Sequence, residues 1–281
     1  MRARWKVWLA VAAVAGMAAH TSWAGSTEER SAAVEAYVMD HVANGHHWRP
    51  LPGFTVLLPG ILPIHALMLL IGAGILYFLF VVRYQHDAKV PTGLTNALEA
   101  FVVYMRDEIS IQFLGEEDGR KMAPLFMTFF FFILVLNLMG LVPIFATATS
   151  NINVTGSLAI ITLGFMSVGA ICKRGILGFF KAFVPSGVPW PLLILIVPIE
   201  FIGMFIKVMA LMIRLFANML GGHIAVFALL GLVVTYGLVG IPFLALALGT
   251  YLLEVLVAVL QAYIFTLLSA VFIGMMYHPE H

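Results

Sequence analysis

The 281 residues are 62% hydrophobic and only 10% charged, against about 45–50% apolar and about 25% charged in a soluble domain. That balance excludes a soluble globular enzyme and predicts an all-α polytopic membrane protein with about five transmembrane helices. A net charge of +1 with no dense basic cluster offers nucleic acid nothing to bind, and the single cysteine, Cys172, excludes an internal disulfide and reads as a packed or lipid-facing thiol.

In chain order, residues 1–24 read as a secretory signal: Arg2, Arg4 and Lys6 precede an apolar run from Val7 to Ala19, and Ser22-Trp23-Ala24 is a small-x-small cleavage site. The apolar run is short for a bilayer of about 30 Å, which favours cleavage over a retained span. Residues 25–60 form a polar exterior leader with Asp40, His41, His46, His47 and Trp48, broken by Pro50, Pro52 and Pro59. Its histidines lack zinc-motif spacing and read as a solvated interfacial cluster; no metal or other cofactor is expected anywhere in the chain.

Residues 61–281 read as one membrane domain. The first span runs over residues 61–82 and stops at Arg83 and Tyr84. Residues 94–113 are amphipathic, with Leu98, Phe101, Val102, Met105 and Ile109 on one face and Asn96, Glu99, Arg106 and Asp107 mostly elsewhere. That pattern predicts a helix lying on the membrane surface. Spans follow at residues 123–142 and 154–172, joined by a chargeless loop. Asn137, Asn151 and Asn153 are expected to hydrogen-bond between helices. Lys173, Arg174 and Lys181 mark a basic loop before the next span.

Lys and Arg at 83, 89, 106, 120, 121, 173, 174 and 181 fall on one side if the spans alternate. The positive-inside rule places that side in the cytoplasm. The expected topology has an exterior N-terminus and a cytoplasmic C-terminus.

Two long apolar runs, residues 192–234 and 243–276, form a tilted C-terminal hairpin about a turn rich in glycine and proline. Glu200, Lys207 and Arg214 recur every seventh residue and share one stripe of the first arm. Folding the arms antiparallel brings Arg214 level with Gln261, and His223 level with Glu254, each to within about one residue. A charged side chain at the centre of a span costs about 2.5–3.5 kcal/mol on insertion scales. Ionisable groups aligned in this way mark an ion path rather than a structural polar core, and Arg214 is its centre.

Arg214-Leu215-Phe216-Ala217-Asn218-Met219, with Gln261-Ala262-Tyr263-Ile264-Phe265 on the second arm, resembles the a subunit of the rotary F-type ATP synthase. Asn137-Leu138-Met139-Gly140-Leu141-Val142-Pro143, Asn153-Val154-Thr155 and the leader around Asp40-His41 add to the likeness, which covers roughly residues 36–277. The resemblance implies a non-catalytic stator with two proton half-channels ending at a ring of c subunits. Its partners would be that ring, the b-subunit peripheral stalk, the rest of the complex and the bilayer. By the same resemblance Arg214 faces the ring carboxylates, Asn218 and Gln261 lie beside it, and Glu200, His223 and Glu254 are relay residues of the exterior-side half-channel.

The chain departs from the family pattern in places. Many members have a carboxylate where His223 stands and an imidazole where Glu254 stands, so here the two are exchanged. Some have acids near Gly140 and Asn151, which leaves more weight on Glu200, His223 and Glu254. Ala217 replaces the commoner glycine. The alternative reading is a self-contained secondary transporter or channel, which predicts inverted repeats that the sequence does not display. No nucleotide-binding loop or hydrolase arrangement is present.

Overall fold

The computed structural model describes residues 28–29, 32, 47–51, 54–57, 63–84, 93–142, 145–184 and 188–278. The expected signal sequence at 1–24, and Asp40, His41 and His46 of the leader, lie outside the described residues. Within the leader, β1 (His47–Leu51) and β2 (Phe54–Leu57) form a short antiparallel hairpin, with His47 opposite Leu57 and Trp48 opposite Val56. The sequence between these strands is Pro52-Gly53, a turn dipeptide.

The remaining regular elements are helical, as expected for apolar chain in lipid, where each backbone amide must find its partner within its own segment. They are α1 (Ile64–Tyr77), α2 (Leu94–Tyr104), α3 (Gln112–Gly140), α4 (Ile152–Gly164), α5 (Ala170–Lys181), α6 (Trp190–Tyr236) and α7 (Ile241–Tyr277). Wider π-helical turns extend α1 over Phe78–Val82, join α2 to α3 over Met105–Ile111, and join α4 to α5 over Phe165–Gly169. Five helical stretches are long and apolar enough to cross a membrane, so the chain is an all-α, multi-pass membrane protein. The 47 residues of α6 rise about 70 Å, roughly twice a bilayer's hydrocarbon thickness.

Two glycines bend these helices where the sequence pattern marks only a change of character. Gly115 (φ 78°, ψ 174°) lies inside α3, and Gly175 (φ 75°, ψ 169°) lies inside α5. That backbone region is essentially closed to other residues. Gly115 ends the amphipathic helix and starts the span, and the chain doubles back tightly enough for Ser110 Oγ to donate to the Gly119 carbonyl at 2.5 Å. Residues 173–181, expected as a loop, are helical instead, redirected by Gly175. Asn151 Oδ1 accepts from the Asn153 backbone N–H at 2.9 Å, at the N-terminus of α4.

By internal packing the chain divides into two compact units. The first comprises Met1–Ile75, Ile133–Val154 and Phe216–Leu260, and the second Leu76–Phe132, Thr155–Leu215 and Gln261–His281.

In the first unit α1 packs on α3 through Gly72, whose missing side chain leaves room for Leu136. Asn137 Nδ2 donates to the Ala258 carbonyl at 3.1 Å, the helix-to-helix bond expected of it, and the Tyr251 hydroxyl donates to the Leu141 carbonyl at 3.1 Å. Leu230, Val234 and Ala247 make an apolar cluster beside the turn between α6 and α7. The loop before α4 is buried over Ala146–Ser150.

In the second unit Phe129 meets Phe265 edge-on at 5.6 Å, and the hydroxyls of Thr162 and Ser269 lie 3.2 Å apart. Lys173 and His278 both reach Asp118, and the Lys173 ammonium sits 5.4 Å from the centre of the Tyr277 ring. This polar knot ties the start of α3, the middle of α5 and the end of α7 together.

Candidate functional site

Helices α6 and α7 carry the residues singled out by sequence. In the first unit His223 on α6 and Glu254 on α7 are both buried, with Nδ1 of the imidazole 3.2 Å from Oε1 of the carboxylate. The short turn over Gly237–Gly240 sets this register, because two helices of fixed rise leave it antiparallel and in step. Gly222 makes the approach possible: a Cβ there would fall 2.7 Å from Glu254 Oε1 and 2.9 Å from its carboxyl carbon. The Phe227 ring lies one turn on, 6.2 Å from the His223 ring centre and nearly parallel to it. An acid and an imidazole in contact, shut away from bulk water, can pass a proton between them.

In the second unit Arg214 is exposed, and among the described residues no carboxylate forms an ion pair with it. Asn218, one turn further along α6, is exposed as well. Gln261 on α7 is buried, next to Ala262 and four residues before the buried ring of Phe265. On α6 of this unit Ile206, Met209 and Ile213 are exposed, and on α7 of the first unit Leu256 and Leu260 are exposed. Of the five spans, α6 and α7 bury the smallest share of their most apolar stretch. A guanidinium on such a surface is a fixed positive charge offered outwards.

The structure brings His223 and Glu254 together, as their expected equal depth requires. Glu200 is exposed, belongs to the second unit, and lies about six turns before His223 on α6. Lys207 is half-buried. Gly222 and Tyr251 were not picked out by sequence reasoning. The adjacent Gly221-Gly222 before His223 was the available signal for the first, and an aromatic hydroxyl in a span for the second. Among the described residues no group of three His, Cys, Asp or Glu side chains is placed to hold a metal ion.

The model of the family described as ATP synthase A chain matches residues 65–274, which contain every helix listed above except the first residue of α1 and the end of α7. The chain belongs to the ATP synthase A chain family. A protein of an Anaeromyxobacter species named ATP synthase subunit a is 43% identical over 215 residues, covering 75% of this chain and 53% of its own length. A Chloroherpeton thalassium protein of the same name is 45% identical over 258 residues, covering 86% of this chain and 77% of its own. The Myxococcus xanthus protein so named is 40% identical over 252 residues, covering 84% and 81%. The chain spans about half the length of the Anaeromyxobacter relatives it matches. Family membership accords with the fold: spans long enough to cross, two of them with open faces, and ionisable residues on those two.

Proposed function

We propose that this chain is the stator subunit of a rotary ATP synthase, providing two proton half-channels to and from a c-subunit ring and so coupling proton movement to rotation. The observation that carries the reading is Arg214: a charge in the middle of a span, exposed, and without an ion pair of its own chain among the described residues. Left to lipid, that charge costs several kcal/mol. A carboxylate moving past on a neighbouring ring removes the penalty and is held ionised while it passes. The guanidinium cannot carry the proton itself, since it does not deprotonate in proteins; it blocks a direct path between the half-channels.

On this reading His223 and Glu254 relay protons on the exterior side. Glu200, further along α6, is a third relay residue of that exterior-side half-channel. Asn218 and Gln261 are the polar residues beside the arginine. The partners are the c ring, the b-subunit stalk and the rest of the complex, in a bacterial inner membrane with the N-terminus outside, the C-terminus inside and residues 1–24 acting as an export signal. Cross-linking tests it: a cysteine at Ile213 or Ala217 should join to one on the outer helix of a c subunit in the assembled complex. Absence of any such product, with cysteines on the opposite face of α6 equally silent, removes the ring from beside Arg214.

A further inference from the structure

His65, near the start of α1, is buried to 3% exposure, and among the described residues neither ring nitrogen has a hydrogen-bond partner. An imidazole always presents at least one N–H, and in its neutral form also an acceptor, and buried polar groups of this kind are ordinarily paired. Two more buried groups of the same unit share this condition: Thr149 Oγ1 in the buried loop before α4, and Asn137 Oδ1 near the end of α3. With no partner among the described residues, these groups can hold water, through which protons move.

Contacts within the first unit set the depth of His65. Gly72 lies beside Leu136 and Met139, Asn137 is level with Ala258, and the Tyr251 hydroxyl reaches Leu141. Glu254, between Ala258 and Tyr251 on α7, therefore stands close to the level of the α3 C-terminus. His65 precedes Gly72 by two turns, about 10 Å along α1 in the direction away from the basic end at Arg83. That places it about one turn beyond Glu254 toward the charge-free side, at the level of the buried loop that carries Thr149.

We propose that His65 is a proton-relay residue of the entry path, outside the His223–Glu254 pair and feeding it, with Thr149 holding water through which protons pass. The inference rests on the stator reading above and adds to it a group on a different helix. Each step is a proton taken up on one ring nitrogen while the other releases one inward, so charge and atoms balance.

The test is proton-driven ATP synthesis by the assembled complex in membrane vesicles, expressed per complex. His65→Gln keeps size and hydrogen bonding but cannot carry a proton, and should lower the rate about ten-fold or more; His65→Ala should do the same. External imidazole should restore His65→Ala, while pyrazole, of the same shape and far weaker as a base, should not. A wild-type rate in His65→Gln, or equal rescue by both compounds, overturns the proposal. Glu254→Gln, measured alongside, separates the two failures. If it slows synthesis while His65→Gln does not, only this inference falls; if it has no effect, the relay reading falls.

Discussion

Nδ1 of His223 lies 3.2 Å from Oε1 of Glu254, across two helices joined by a four-residue turn, with both side chains buried. On the proposed reading the pair works as one acid and one imidazole, whichever helix supplies which. His223→Glu should therefore place two carboxylates in contact and slow ATP synthesis, and Glu254→His should do so with two imidazoles. The double exchange should recover most of the rate. Synthesis per assembled complex in vesicles measures all three, and a double variant no better than either single one would deny the pair a joint role.

Gly222→Ala separates function from folding. The new Cβ meets the end of the Glu254 side chain, which is flexible enough to swing aside. Thermal stability in detergent should therefore change by no more than about 1 kcal/mol, while synthesis falls several-fold because the carboxylate has left His223. A large loss of stability with normal turnover per folded complex would contradict this.

Arg214→Ala removes the outward-facing charge without opening a cavity, since the side chain is exposed. Coupled synthesis should be abolished, and passive proton leak through the membrane sector should rise above that of the intact complex. Arg214→Lys keeps the charge but loses the planar fork, and should recover little synthesis. Vesicle acidification assays read the leak; wild-type synthesis in Arg214→Ala would end the assignment.

Gly115→Ala tests the kink that divides the amphipathic helix from the span. Nothing lies within 4 Å of the added Cβ, so any effect comes from the backbone at φ 78°. The expected loss is about 1–3 kcal/mol, read as a lower midpoint of thermal unfolding in detergent. Gly175→Ala should behave alike, at φ 75° and also in open space.

Asp118→Asn removes the shared acceptor of Lys173 and His278. Because these groups are partly exposed, the cost in stability should stay within about 0.2–1 kcal/mol. The readout is local: amide exchange at the end of α7 should speed up, with that around His223 unchanged. Equal acceleration at both places would mean that the knot does more than tether its own neighbourhood.

Much of this architecture is legible in the sequence, because a bilayer leaves few choices. Runs of apolar residues must be helices, their lengths follow from the rise per residue, and a tight turn holds two such helices in step. That is why the level pairing of His223 with Glu254 could be read from position alone, and why Arg214 stood out as a charge with no local purpose. Helices that are apolar all round carry no amphipathic signal for which way each face turns. Only the tertiary structure decided that Arg214 is exposed and Gln261 buried, and that His65 is shut away without a hydrogen-bond partner among the described residues. It also decided that the amphipathic stretch ends at Gly115 and that Gly222 clears the way for a carboxylate. Those facts depend on which surfaces meet, and contacts between helices distant in sequence are set by packing, which no single segment encodes.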